Sequence, residues 1–191
     1  MYVIYTIRDT AKVPPSKLNL PVEKAIKESL AEVYEGIINE RIGVGLAIVS
    51  VDEIGEGKIK PADAHIYYPV VFQLLAYRPE LHEVVIGEDV DNTEFGAFIR
   101  IGPLDGLVHI SQIMDDFVSY DEKNSMYLGR QTRRTLKKGD VVRARIISVS
   151  LGKKVQNKVG LTMRQPFLGA LAWIEEEKKK ALKGKTTKKK K

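Results

Sequence analysis

The sequence predicts an α+β fold, in which one helix on a small antiparallel sheet is followed by a small closed β-barrel. The first half contains one amphipathic helical periodicity between strand-forming segments, which indicates a helix packed on a sheet. The second half contains five short strand candidates within about 80 residues, the size of a five-stranded barrel. A chain of 191 residues can form both as separate small domains.

The first strand and the helix are predicted from their residue periodicities. Residues 2–8 alternate β-branched and aromatic residues, as a strand does, and Val13-Pro14-Pro15 ends that strand. Pro21 then begins a helix whose apolar residues are spaced four, four, three and four. This spacing places them on one face, which we expect to be core: Val22, Ile26, Leu30, Val33 and Ile37.

The rest of the first domain is predicted as two strands, over 44–51 and 64–75. A polar stretch with several glycines, 52–63, connects them. The domain ends near Tyr77-Arg78-Pro79-Glu80, because Pro79 interrupts any strand that passes through it.

The second half is predicted to be mainly strands, over 84–90, 97–101, 107–110, 141–149 and 159–163. The segment 114–139 is too long for a plain loop, so we expect it to carry local structure or function. A helix is predicted after the barrel, followed by a lysine-rich tail. The expected domains are 1–80, 81–166 for the barrel, 167–182 for the helix and 183–191 for a disordered tail.

Composition limits the classes of protein and site. Cysteine is absent, which excludes disulfides and thiolate metal sites, and the scattered positions of the three histidines argue against a metal site. We therefore expect no metal and no cofactor. No apolar run approaches the roughly 20 residues needed to cross a bilayer, and the N-terminus lacks a signal-peptide pattern. The expected location is the cytoplasm, or the nucleus only if the protein is eukaryotic, with no membrane partner.

The net charge of +6 arises in the C-terminal tail. Nine lysines and no acid lie between Lys178 and Lys191; without them 22 basic residues remain against 25 acidic ones. Within the body the charges are sorted, with ten acids and one base over 83–122, and twelve bases and one acid over 123–164. This sorting predicts a basic face that can bind along a nucleic-acid phosphate backbone. The alternative is that the strands interleave the acidic and basic residues, so that their electrostatic fields cancel.

Residues 95–111 predict a surface that stacks on unpaired bases. Phe95 and Phe98 supply rings, Gly96 and Ala97 keep the surface between them low, and His109 comes from the next strand. This order resembles the S1 domain, an RNA-binding module with an OB-fold barrel. The alternative is that the rings pack in the core, since a spacing of three places them on opposite strand faces unless a bend intervenes. The position of Phe98 stays open at this point.

Motifs along nearly the whole chain extend this resemblance to one family. They are Tyr34-Glu35-Gly36 after the helix, the barrel stretch 102–116 that begins Gly-Pro-Leu-Asp-Gly-Leu-Val-His, and the stretch 160–169 followed by Trp173. Together they resemble E-prime, the stalk subunit of archaeal DNA-directed RNA polymerase, whose family includes the seventh subunit of eukaryotic RNA polymerase II.

The resemblance implies a division of labour between the domains. A truncated ribonucleoprotein-like (RNP-like) N-terminal domain docks on the polymerase core subunits through a tip loop and pairs with a small helical partner, the F-type stalk protein, as a heterodimer. An S1-type OB-fold barrel binds nascent single-stranded RNA. The docking residues implied at the tip are Gly55, Gly57, Lys58 and Asp63. Glycines at such a tip allow tight backbone turns without side chains in the way.

The chain departs from the family pattern in two places. Glycines flank the tip acid in the family, but here the stretch is Pro61-Ala62-Asp63-Ala64-His65. Many S1 barrels complete the base-binding face with an Asp and an Arg, and the matching positions here are Ser150 and Lys158. Because Lys lacks the planar guanidinium, we expect weak, sequence-tolerant binding.

The candidate RNA-binding set also includes arginines on a predicted strand. Arg143 and Arg145 alternate with Val142, Ala144 and Ile146, so both are expected on its outward face. The complete set is Phe95, Phe98, Arg100, His109, Arg143, Arg145 and Lys158.

No catalytic motif is present in the sequence. It lacks a phosphate-binding loop, a His-Glu-x-x-His motif and a cysteine nucleophile, so we expect an accessory subunit of a nucleotidyltransferase complex without an active site of its own. The alternatives are a free S1-domain RNA-binding factor in translation or RNA decay, and, in a third class, a nuclease or other enzyme.

Overall fold

The computed structural model describes residues 1–152 and 158–188. The chain forms two compact units, one based on Met1–Arg78 and the other on the residues from Pro79 onward. The division falls within the Tyr77–Glu80 stretch at which the sequence predicts a boundary. Among the described residues, no helix is both long and apolar enough to cross a membrane.

The first unit is an antiparallel sheet with one α-helix packed on it. The elements are β1 (Tyr2–Val13), α1 (Val22–Tyr34), β2 (Ile38–Asn39), β3 (Gly43–Ile54), β4 (Lys58–Ile59) and β5 (Ile66–Tyr77). The strand order is β1-β5-β3-β2, and β4 pairs with β5. The first strand ends at Val13, where the prolines were predicted to end it, and a short 3-10 helix over Pro15–Lys17 follows.

The core of this unit lies between α1 and the sheet, where Ile26 and Leu30 pack with Phe72 and Leu74 of β5. The predicted helix face is wrong in part. Val22 and Val33 are about half exposed, and α1 ends at Tyr34, before Ile37. The buried positions are instead Ala25, Ile26, Ser29 and Leu30, because small residues let this side of the helix approach the sheet closely.

The second unit contains a five-stranded barrel, as the sequence predicts. The barrel strands are β6 (Val84–Thr93), β7 (Gly96–Arg100), β8 (Asp105–His109), β12 (Val141–Ser150) and β13 (Lys158–Thr162). They pair in the order β13-β8-β7-β6-β12, and an additional pairing of β12 with β13 closes the sheet. A short sixth strand, β14 (Gly169–Ala170), pairs with β12. Closure removes the unpaired edges of these strands.

The long segment 114–139 carries local structure, as expected. It forms a three-stranded antiparallel sheet in the order β11-β10-β9, with β9 at Val118–Asp121, β10 at Met126–Gly129 and β11 at Thr135–Lys137. Two tyrosines of this sheet bind the end of β6: Tyr127 donates a hydrogen bond to the Thr93 carbonyl (2.6 Å) and Tyr120 to the Asn92 carbonyl (2.8 Å). The small sheet is thereby fixed beside the β6–β7 turn.

The C-terminal helix α2 spans Leu171–Lys188. It begins later than the predicted Phe167, because Phe167 and Gly169 adopt positive φ and Gly169–Ala170 forms β14. It also extends past the predicted end at 182, into the lysine-rich stretch expected to be disordered; lysine is a good helix former. Residues 189–191 of that stretch lie outside the described residues. The buried Trp173 donates a hydrogen bond to the Thr135 carbonyl, so the helix packs on the small sheet.

Candidate nucleic-acid interface

The outer wall of β7 and β8 carries most of the predicted base-binding residues. Ala97 and Ile99 point into the barrel and are fully buried, so Phe98 and Arg100 face outward from β7. The register pairs Gly96 with His109, Phe98 with Leu107 and Arg100 with Asp105.

Phe95 and Phe98 lie on the same side of this wall. Phe95 precedes β7 in the turn after β6, so strand alternation does not determine its side. Its side chain is 52% exposed, and Phe98 is half-buried. The two rings meet edge to face, with centroids 6.0 Å apart and planes at 88°. The alternative that both rings belong to the core is thus excluded by the geometry.

Of the two small residues between the rings, only Gly96 shapes the surface. A side chain at Gly96 would collide with the Val108 carbonyl oxygen of the neighbouring strand, so the backbones approach closely here. The expectation that Ala97 also lowers the surface is wrong, because strand alternation turns Ala97 into the barrel.

His109 lies at the same end of this wall as Phe95, opposite Gly96, in a defined orientation. Its Nδ1 lies 2.9 Å from Ser111 Oγ and accepts the backbone N–H of Ser111 at 3.3 Å. In the neutral ring the proton therefore resides on Nε2, which makes Nε2 the donor available to a base or phosphate oxygen.

Charges beside the rings are mixed. Arg100 Nε lies 3.3 Å from Asp105 Oδ1, and the register places Glu88 on the other side of Arg100. Asp91 stands opposite Phe98 on β6. Lys158 begins β13, one residue before the pairing of Val159 with Gly106, and is therefore level with Asp105. Because acids surround Arg100, its positive field is largely balanced.

The structure separates Arg143 and Arg145 from the rings. Both face outward from β12, as predicted, but β6 lies between β12 and β7, and β13 lies between β12 and β8. Their neighbours across the strands are Ile86 and Val84. The predicted set is therefore divided: Phe95, Phe98, Arg100 and His109 share one wall, Lys158 borders it, and the two arginines occupy another side of the barrel.

One exposed aromatic was not selected from the sequence. Phe117 is 73% exposed and lines a cavity of about 440 Å³ together with Ser111, the partner of His109. The available signal was its place near the start of the long segment 114–139, which was expected to carry local structure or function.

The tip implied for docking lies between β3 and β5. Gly55 donates its N–H to the Pro69 carbonyl (2.8 Å), and a side chain at Gly57 would meet the Tyr68 ring. Lys58 and Ile59 form β4, which pairs with the start of β5, and Ile59 is 70% exposed. The glycines thus allow the chain to fold closely back on β5 while it presents an apolar side chain outward.

Asp63 is the hydrogen-bond acceptor that holds this tip. It accepts the hydroxyl of Tyr67 (2.5 Å), the backbone N–H of His65 (3.0 Å) and a contact with the His65 ring, and Lys12 Nζ lies 3.3 Å away. The Tyr67 hydroxyl, followed by His65, holds the pKa of Asp63 well below its usual range. Ala62 precedes it with φ +65°, a left-handed conformation that favours glycine.

Family models match both units. Residues 8–64 match the SHS2 domain found in the N terminus of Rpb7p/Rpc25p/MJ0397, and residues 78–159 match the S1 RNA binding domain. These matches confirm the predicted order of a helix-on-sheet domain followed by an S1-type barrel.

Whole-chain relatives show the same arrangement. The chain is 38% identical over 180 residues to DNA-directed RNA polymerase subunit Rpo7 of Saccharolobus shibatae, and equally to that of Saccharolobus solfataricus, covering 94% of this chain and 100% of each relative. DNA-directed RNA polymerase III subunit rpc8 of Schizosaccharomyces pombe is 29% identical over 56% of this chain and 53% of its own length. Identity of this extent over both domains confirms the resemblance: the chain belongs to the Rpo7 family of DNA-directed RNA polymerase subunits.

Proposed function

We propose that the chain is a stalk subunit of DNA-directed RNA polymerase that docks on the core enzyme and binds nascent single-stranded RNA. The relatives named as Rpo7 polymerase subunits match from end to end, which supports incorporation into that complex. The S1 match supports the RNA-binding half of the proposal.

The observation that carries RNA binding is the edge-to-face pair of Phe95 and Phe98 on an outward barrel wall. An exposed ring held upright by a second ring offers a flat face to an unstacked base. His109 adds a hydrogen-bond donor at the same wall. Because Arg100 is balanced by Asp105 and Glu88, stacking supplies most of the binding here, and stacking tolerates any base.

The proposed docking element is the tip at residues 55–63. It presents the exposed Ile59 from a short strand, and Asp63 holds the following turn through Tyr67 and His65. An exposed apolar side chain on a loop held in shape by hydrogen bonds suits insertion into a pocket of another polymerase subunit, because such a loop loses little conformational entropy on binding. Pairing with the small helical F-type stalk protein is part of the same proposal and rests on the family resemblance.

The chain is also proposed to have no active site of its own. Within the described residues, no group of three or more His, Asp or Glu side chains is placed to hold a metal. In this proposal the nucleotidyl transfer belongs to other subunits. The purified chain should therefore neither extend nor cleave RNA when supplied with Mg²⁺ and nucleotides.

Purification through a tag on this chain at high salt tests the proposal directly. Polymerase core subunits and a small helical partner should co-purify, and the isolated chain should bind single-stranded RNA in a fluorescence-anisotropy assay. Sedimentation of the chain with ribosomes, or alone, would instead support a free RNA-binding factor and would contradict the stalk assignment.

A further inference from the structure

The cavity beside Phe117 is a feature that the S1 wall does not include. It lies in the second unit, measures about 440 Å³, and is open to solvent. Ile110 and Val118 contribute apolar surface to its wall, and Ser111 and Gln131 contribute polar groups. That size falls within the roughly 300–1,000 Å³ range of small-molecule sites, so one nucleotide can enter.

The cavity begins where the ring-bearing wall ends. Ser111 lines it and is bonded to His109 Nδ1 at 2.9 Å. Ile110 also lines it, and its N–H donates to the Phe95 carbonyl at 3.0 Å. Ile110 and Ser111 therefore join the Phe95 and His109 end of the wall to the cavity, so an RNA strand on the wall can continue into it.

The two carboxylates at this cavity are already engaged. Asp116 accepts N–H groups from Phe117, Gln131 and Thr132 and the Thr132 hydroxyl, and the Thr132 N–H is the main cause of its lowered pKa. Asp115 forms an ion pair with Arg164 at 2.8 Å. The side-chain amide of Gln131 has no hydrogen-bond partner among the described residues.

We propose that this cavity is a second nucleotide subsite, in which a base of single-stranded RNA stacks on Phe117. The inference rests on the proposed RNA-binding function and extends its path beyond the S1 wall. Gln131 supplies a side-chain amide that donates to or accepts from any base edge. Arg164 at the rim is held by Asp115, so stacking on Phe117 and the Gln131 amide carry the proposed binding. RNA is favoured over a protein partner because the cavity adjoins the stacking wall and contains hydrogen-bonding groups of both polarities.

Tryptophan fluorescence gives a local test. Trp173, the single tryptophan of the chain, is buried, so Phe117→Trp introduces an exposed reporter that can still stack. Titration with a single-stranded RNA of about 16 nucleotides, the upper end of OB-fold site sizes, should quench it. The matched control is Phe167→Trp, since Phe167 is 67% exposed but does not line the cavity; it should not be quenched.

Affinity provides the second arm. Phe117→Ala should weaken binding of this RNA by roughly 5- to 150-fold, the usual effect of losing one stacked base, and Phe167→Ala should not. If Phe95→Ala weakens binding while Phe117 variants change neither affinity nor fluorescence, the subsite is wrong and the proposed function stands. If the wild-type chain binds no RNA, both are wrong. Loss of co-purifying polymerase subunits with unchanged RNA affinity would make Phe117 a protein contact and overturn the subsite.

Discussion

The Phe95 ring meets the Phe98 ring edge to face, with centroids 6.0 Å apart, and only Phe95 is more than half exposed. Phe98 thus supports the Phe95 ring, and in the proposed interface Phe95 is the ring on which a base stacks. The backbone of Gly96 lies too close to Val108 for a side chain, which leaves the surface between the rings and His109 low.

Replacement of Phe95 by alanine should weaken single-stranded RNA binding by about 1–3 kcal/mol, because one stacked base is lost. Folding should be unaffected, since half of the side chain is exposed. Anisotropy titrations of the isolated chain measure the change, with Phe167→Ala as the control. Equal affinities of Phe95→Ala and wild type would show that the base-binding wall lies elsewhere.

Replacement of Arg143 and Arg145 by glutamine should affect RNA binding less than the loss of Phe95. Both arginines lie on another side of the barrel, so their influence on the ring wall is long-range and screened by salt. The difference from wild type should disappear as ionic strength is raised. A loss that persists at high salt would indicate direct contact and would restore these arginines to the binding site.

Deletion of residues 178–191 should lower affinity and flatten the salt dependence. It removes nine lysines, and each one that contacts phosphate contributes about 0.7 to the slope of log affinity against log salt for a single strand. Relative affinities for different homopolymers should not change, because phosphate contacts carry no base information. Loss of all binding would mean that the barrel is not the RNA site.

Asp63→Ala should reduce retention of the chain on polymerase without changing RNA affinity of the isolated chain. The substitution removes the acceptor of the Tyr67 hydroxyl and the His65 N–H, so the tip loses its fixed shape. Asp9→Ala is a matched control, because Asp9 also accepts a tyrosine hydroxyl, that of Tyr34, but lies on β1. Co-purification at increasing salt compares them, and equal retention would contradict the docking role.

Asp89→Asn should stabilise the protein at neutral pH more than at acidic pH. Asp89 is 1% exposed, and burial raises its pKa from 3.8 to about 6. Between about pH 4 and 6 the Asp89 carboxyl is protonated in the folded state and ionised in the unfolded state. The free energy of unfolding of the wild type therefore falls as pH rises through this range to 6. The variant stays neutral and should gain up to about 3 kcal/mol relative to wild type by pH 7.

Chemical denaturation of Asp89→Asn and wild type across pH 4–8 measures that gain. Glu88→Gln, an exposed acid on the same strand, is the control and should show a nearly constant difference. A difference for Asp89→Asn that also stays constant with pH would show that the Asp89 carboxylate is accommodated when ionised.

The strands and the domain order were predictable, because alternation and turn residues are local signals. The three short strands of 118–137 were not, since strands of three or four residues such as Thr135–Lys137 give too few positions to show a period. The buried face of α1 was predicted wrongly at Val22 and Val33. The helix instead packs on the sheet along a side that includes the small residues Ala25 and Ser29.

The placement of the candidate site residues was predictable only where it depends on local sequence. Phe95, Phe98 and His109 lie within one hairpin, so their residue types suffice to suggest a common wall. The separation of Arg143 from that wall depends on the order in which the barrel closes, a long-range property that strand alternation does not determine. The Phe117 cavity likewise depends on where the small sheet packs.

The most direct measurement is photo-crosslinking of the nascent transcript in transcribing polymerase that contains this chain. With photoreactive uridine near the RNA exit, crosslinked peptides should contain residues 95–109, and Phe95→Ala should reduce their yield. Crosslinks restricted to the Arg143–Arg145 side of the barrel, or a yield unchanged by Phe95→Ala, would contradict the account.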